Sequence, residues 1–489
     1  MMNRSQRRTV WILMAVIFLA SAALSEALRP GHNEYQRAAL AKSPEDFRDT
    51  TGSKSALGGT PFQTLLPTLL GVREVMASLM WVQADEYFHR GEYRPIISMV
   101  RQITAIDPHQ LDVYATGAWH MAYNFMDKRL IEDGVKFLED GCKNNSSVYD
   151  LYFELGYMHY DKTKDFGRAI TAYQDSSQRG TTTGKTQPPS YVRHQLAHAM
   201  EKSGNLDQCL QQWDTNVETA NRLIQGGEAN IGPSGVNLAA AQHNRYMTDR
   251  RINERLAALA ERQADRTEAI RLWQANVQLQ QDWLKQFPGH PDVTKDLAVS
   301  MANVRRLQSG KLNPLEPADP ELKFMVRRIA PRKLQVEGTA SLLNYAKLHV
   351  RFRDKDYESR IQKGFDFKMN ECTLEWDNAT VNNGKFKTLI DLGRDPADMG
   401  REPEQIYPLK ADQYEMTVTY NPRVQPAFIQ DRYGWNGEGL TASPDALKID
   451  PQKPGIIRGK SYPLRTVTQT VTLDRADVVG DGAKVLASR

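Results

Sequence analysis

The chain has 489 residues, 40% of them hydrophobic and 25% charged, a length that exceeds one hydrophobic core and a balance that excludes a wholly disordered or wholly membrane-embedded protein. Lys and Arg outnumber Asp and Glu by four and are spread along the chain, which argues against nucleic-acid binding, where a basic stripe is needed. Cys142, Cys209 and Cys372 are too few for a disulfide framework and too far apart for a zinc site, so they are expected as buried small hydrophobes.

In chain order, Arg4, Arg7 and Arg8 precede an uncharged apolar run over residues 10–24, closed by Glu26 and Arg29. Basic residues followed by such a run form an export signal. The run is shorter than the ~20 residues of a full span, and Ala20-Ser21-Ala22 offers small residues for cleavage. Residues 1–29 are therefore a signal anchor or a signal peptide, with the anchor favoured because modest bilayer thinning accommodates a short span. Arginines on the N-terminal side put the bulk of the chain on the outer face, periplasmic or extracellular, and secreted if the signal is cleaved. Residues 30–60 are polar and without apolar periodicity, a flexible stalk.

Over residues 61–310 apolar side chains recur at helical spacing, interrupted at Gly91, Asp107-Pro108, Gly204-Asn205 and Pro288-Gly289. This predicts helix pairs joined by turns. Residues 311–332 carry Pro314, Pro317, Pro320 and Pro331, which predicts a linker. From residue 333 to 489 the period becomes two. Leu348, Val350 and Phe352 alternate with polar residues, as do Phe365, Phe367 and Met369, and Tyr414, Met416, Val418 and Tyr420. Asn383-Gly384 marks a two-residue hairpin turn in which both residues need positive φ. The expected fold is α+β and multidomain, with an N-terminal signal-anchor helix, an all-α solenoid and a C-terminal antiparallel β-sandwich with an extended tail.

The helical region repeats. One unit has Met80, Ala84, Tyr87, Gly91-Glu92-Tyr93 and a closing Pro108; the next has Tyr114, Gly117-Ala118 and Met121, with a poorer second helix from about Leu130 to Phe137. A third has Tyr152, Leu155-Gly156, Ala169 and Tyr173, and a fourth Leu196-Ala197, Met200, Gly204, Cys209 and Trp213. These residues resemble the tetratricopeptide (TPR) repeat, with unit starts near Ala77, Leu111, Tyr149 and Ser190 and two connections longer than the family's repeat of about 34 residues allows. Helices over 237–263, 266–286 and 292–307 lack the motif residues and are expected to cap the stack. The resemblance implies a curved groove lined by the first helix of each pair. Its family-facing positions fall on Trp81, Asp85, Phe88 and His89, then Asp112, Trp119 and Tyr123. They continue on Asp150, Phe153, Tyr157 and Tyr160, and on Tyr191, His194, His198 and Lys202. So aromatic a surface suits capture of a protein or peptide partner, or of a glycan in envelope polysaccharide export.

Candidate chemistry is weak by comparison. His194 and His198 share one helix face, but Gln195 stands where a zincin's general base belongs, so a metal-dependent hydrolase is a remote alternative. Gly180 and Gly184-Lys185-Thr186 imitate a phosphate loop with one residue too few and run into Pro188-Pro189 rather than a helix. No catalytic residue, cofactor site or metal site is assigned. Val336-Glu337-Gly338-Thr339, Gly384-Lys385-Phe386, the Tyr414 strand and Gln425-Pro426 resemble immunoglobulin-like modules of exported bacterial proteins. The expected function is a non-catalytic, membrane-tethered envelope scaffold.

Overall fold

A computed structural model describes residues 73–91, 93–124, 128, 130–182, 187–232, 235–314, 317–361, 372–393, 407 and 409–489. The signal or anchor at 1–29, the stalk at 30–60, the alternating segment around Phe367 and most of the Gly184-Lys185-Thr186 loop lie outside these residues. Among the described residues no helix is long and apolar enough to cross a membrane. The chain forms two compact units. One comprises the described residues up to Asn124 with Gly134–Leu155 and Asp175–Pro188; the other comprises the described residues of 125–133, Gly156–Gln174 and Pro189–Arg489.

In the first unit α1 (Arg73–His89) turns at Gly91, whose φ of 73° suits a residue without Cβ, into α2 (Tyr93–Ile106). Ala77 and Ala84 are buried small residues on α1, and α2 buries Ile96, Val100 and Ile103. Asp107-Pro108 then leads to α3 (Leu111–Trp119), which runs on as a π-helical turn, His120–Asn124. Helix α4 extends over Leu130–Asn144, well past the stretch expected from sequence. A Cβ at Gly117 would stand 2.8 Å from Phe137 Cε1, and one at Gly141 2.7 Å from Tyr114 Cγ, so each helix of the pair brings its glycine against the partner's ring. Helix α5 (Asp150–Met158) also ends in a π-helical turn, His159–Thr163, which with most of the following α6 (Phe166–Ser177) is counted in the second unit.

The second unit repeats the device where a Cβ at Gly156 would meet Tyr173 Cδ1 at 2.6 Å. Its later helices are α7 (Ser190–Ser203), α8 (Leu206–Gln225), α9 (Leu238–Arg262), α10 (Arg266–Gln286) and α11 (Pro291–Gln308), each packed on the next. Local chemistry sets their ends. The side chains of Asn205, Asn237 and Asp265 accept from the backbone N–H three residues on, Pro291 opens α11, and Gly204 closes α7 at φ 102°.

Among the described residues nine strands follow in two antiparallel sheets. Strands β1 (Lys323–Ala330), β2 (Lys333–Thr339), β5 (Lys385–Asp391) and β9 (Lys484–Ser488) form one, ordered β5-β2-β1-β9. Strands β3 (Lys347–Asp354), β4 (Leu374–Thr380), β6 (Gln413–Tyr420), β7 (Leu447–Ile457) and β8 (Lys460–Asp474) form the other, ordered β4-β3-β6-β8-β7. Phe324, Val326, Leu334 and Val336 from the first sheet and Leu348, Val350, Phe352, Met416 and Val418 from the second share one core, which makes the pair a sandwich. The first strand lies inside the stretch read as linker, and the C-terminal tail ends as a strand paired with β1. Asn383 and Gly384 have φ of 50° and 71°, as a type I′ turn requires. The strands on either side belong to different sheets, however, so this turn is a corner between layers and not an in-sheet hairpin.

The helices over 189–308 and the sandwich belong to the same unit. Gly204 O accepts from Ile456 N at 2.8 Å, and the Asp207 carboxylate accepts from Arg458 N at 2.6 Å and Gly459 N at 2.7 Å. Leu206, Ile252, Trp435 and Ile457 form a small core under this seam.

Candidate binding pocket

The first unit contains a pocket of about 160 Å³ between α1 and α3. Trp81, Ala84, Asp85 and Phe88 line it at intervals of three and four along α1, one face of a 3.6-residue helix. Thr116, Trp119 and His120 come from the end of α3 and its π-helical turn, and Ile96 of α2 from below. Ala84 and Ile96, 2% and 1% exposed, form the floor, whereas Trp119 is 43% exposed. Trp119 stacks on Tyr123 with centroids 5.5 Å apart, and Phe88 lies 4.9 Å from the His120 ring.

The electrostatics are one-sided. Burial lowers the His120 pKa from its ordinary 6.5, opposed by Asp85, so the ring is neutral at pH 7, and Asn124 Nδ2 lies 2.7 Å from its Nδ1 as donor. His89 directs Nδ1 at the Asp85 carbonyl, 2.9 Å away, and is 3.5 Å from the carboxylate. Asp85 therefore stands at the rim as the pocket's anion. Among the described residues that line the pocket there is neither Lys nor Arg.

The fold thus brings Trp81, Asp85, Phe88 and Trp119 together, while Ala84, Ile96, Thr116 and His120 complete the lining from outside the family-facing positions. Of these, Ala84 is visible in the sequence as a small motif residue; His120 is not, because it falls outside the repeat's ligand-facing positions, although its place four residues after Thr116 puts it on the same helix face. His89 and Asp112 are exposed, and Tyr123 and Phe153 are half-buried.

In the second unit the predicted positions have varied surroundings. Tyr157 is 39% exposed, but Tyr160 sets its ring edge-on to Phe166 at 5.6 Å. His194 and His198 both set their edges against Trp213, at 5.1 and 5.2 Å, rather than converging on a shared ligand. Burial, then the neighbouring His198 and Arg193, lowers the His194 pKa to about 4. Burial tends to raise the Glu201 carboxyl, but His198, Arg251 and Arg255 outweigh it and hold the group at about 2. Lys202 Nζ lies 3.4 Å from the Arg423 carbonyl in the sandwich's Pro422–Val424 turn. At the fourth predicted repeat the chain therefore uses at least Lys202 internally. Gly180 O accepts from Tyr149 N at 3.1 Å, fixing the start of the loop that imitates a phosphate site to the α4–α5 connection.

No family model matches the chain, and no curated protein matches it. Among solved structures it is similar to MamA at 14% identity, over 43% of this chain and 94% of that one, with a TM-score of 0.25. It is also similar to TTC0263, a TPR protein of Thermus thermophilus, at 16% identity over 37% and 95% of the two chains, TM-score 0.23. Pseudomonas aeruginosa PilF gives 15% identity over 49% and 99%, TM-score 0.24. At such scores the likeness adds nothing to the helix pairs and glycine–aromatic contacts seen in the chain itself.

Proposed function

We propose that this protein is a non-catalytic scaffold whose TPR-type helices bind a protein partner through an extended segment. The observation that carries the reading is the pocket between α1 and α3, where Trp81, Asp85, Phe88 and Trp119, all at positions that the repeat pattern turns toward a ligand, meet around one partly open space. Its size supports the same reading: about 160 Å³ holds a side-chain head, against the ~300–1,000 Å³ typical of a small-molecule site. An exposed tryptophan beside an aromatic neighbour is the type of anchor that dominates protein interfaces.

The scaffold is tethered by its N-terminus and works on the outer side of the membrane, on the strength of Arg4, Arg7 and Arg8 before the apolar run. The sandwich is immunoglobulin-like and orients the helices. Strands β1-β2-β5 against β3-β6-β8 match the A-B-E and C-F-G groupings of that fold, with the fourth strand beside the third and β7 and β9 added at edges.

A photoreactive residue replacing Trp119 in intact cells tests the proposal. It should give a discrete crosslinked species that the same substitution at the exposed Lys285 does not. Identical patterns from the two positions, or none from Trp119, would remove the pocket from partner binding.

A further inference from the structure

We infer that the pocket between α1 and α3 receives the cationic head of a lysine or arginine carried by an extended segment of the protein partner. This deepens the scaffold reading and rests on it.

Three of the eight described lining residues, Trp81, Phe88 and Trp119, carry large aromatic rings. The π face of such a ring attracts a cation, and tryptophan does so best. An acid completes the arrangement, because Asp85 lines the same space and its side chain is 62% exposed, open to a visiting charge. Asp112, exposed in the first turn of α3, adds negative charge on the approach from that helix. Glu86 on α1 is taken up by Arg90 one turn later.

Among the described lining residues nothing offsets this bias. None of the eight residues is Lys or Arg, and the one histidine among them, His120, is kept neutral by burial. An acidic side chain would meet Asp85, which repels it. A purely apolar one would cover Asp85 without pairing it. The side chain of lysine or arginine fits both demands, its head entering the pocket to meet Asp85 and the rings while its apolar stem packs at the mouth. The volume, about 160 Å³, corresponds to roughly five waters at ~30 Å³ each, room for one such head and not for a folded surface.

A displayed library of random peptides, selected on the purified full chain in parallel with its Trp119→Ala and Asp85→Asn variants, identifies what the pocket prefers. Selected peptides are then titrated by fluorescence anisotropy beside analogues in which arginine is replaced by citrulline, or lysine by acetyl-lysine. Peptides that depend on Trp119 should share one basic position. The uncharged analogue should bind roughly tenfold more weakly, and Asp85→Asn should remove most of that difference. Because Asp85 is largely exposed, its asparagine variant should melt like the parent, which circular dichroism checks.

Trp119-dependent peptides without a shared basic position, or equal binding of the uncharged analogue, overturn the cation while leaving the scaffold reading intact. A selection that yields no Trp119-dependent peptide overturns both.

Discussion

Glu254 on α9 shows how a single buried carboxyl sets a pH dependence. Arg250 Nη1 lies 3.3 Å from it and 2.9 Å from Asp296 on α11, so one guanidinium serves two acids. Burial raises the Glu254 pKa most, Arg250 and Arg251 oppose, and Asp431 and Asp296 add to the rise, bringing it from 4.5 to about 7. A raised carboxyl pKa means that the folded state disfavours the anion. Stability from this group is full below pH 4.5 and is lost as pH climbs toward about 7. His194 acts in the opposite sense, since its pKa falls from 6.5 to about 4 and stability is lost as pH drops through that window. The two slopes offset each other in the parent protein between about pH 4.5 and 6.5. Substituting one exposes the other. Glu254→Gln should stabilise the protein at pH 8 by about 1–3 kcal/mol, read as a higher Tm, with the gain shrinking toward pH 5. An equal shift at both pH values would show that the effect is packing and not charge.

At the scale of elements, the repeat depends on glycines that admit a neighbouring ring. Tyr173 is fully buried, and a Cβ at Gly156 would press on it at 2.6 Å. Gly156→Ala gains helix propensity worth up to ~1 kcal/mol, yet must displace a ring with nowhere to move. A net loss of about 1–3 kcal/mol is expected. Gly167, exposed in the first turn of α6 with no atom nearer than 3.4 Å to an added Cβ, is the control; its alanine variant should keep or slightly raise the urea midpoint. If both variants shift the midpoint alike, ring packing is not the cause. Leu155-Gly156 and Tyr173 were readable from the sequence because small and aromatic motif positions recur at fixed spacing. Helices α9, α10 and α11 were readable within a residue at most ends because Asn237, Asp265 and Pro291 are strong start signals. Strand β1 was not. Pro320 and Pro331 bracket it, and Arg328, which looks like a solvent residue, is buried with its guanidinium bound to the carbonyls of Gly482, Asp477 and Asp481. Trp81, Asp85, Phe88 and Trp119, half of the described lining, were named in the sequence through the repeat resemblance. His120 was missed because it falls outside the repeat's ligand-facing positions, and the contact of Lys202 with Arg423, 221 residues away, leaves no local signal at all.

For the whole molecule, the decisive feature is that the helices over 189–308 and the sandwich form one compact unit and not two modules on a string. Arg423 ties them. Its Nε donates to Asn436 Oδ1 at 2.7 Å and its Nη2 to Lys453 O at 2.6 Å, while Nη1 donates to Ser203 O at the end of α7. A cation there also meets the negative end of the helix dipole. Gly204 makes room, since a Cβ on it would lie 2.6 Å from the guanidinium carbon. Burial lowers the Arg423 pKa to about 10, with Glu438 and Asp450 opposing, so the group stays charged at neutral pH. Arg423→Met keeps side-chain bulk but leaves three acceptors without their donor in a nearly closed site, a loss of about 3–5 kcal/mol. That cost falls on the seam and not on either core. In the parent protein, helix content followed by far-ultraviolet circular dichroism and tryptophan fluorescence of the seam around Trp435 should therefore lose signal together on heating. In the variant the fluorescence change should come first, with helix loss following, because the sandwich separates before the helices melt. A variant in which both signals still coincide, merely at lower temperature, would mean that Arg423 contributes stability without coupling the sandwich to the helices over 189–308.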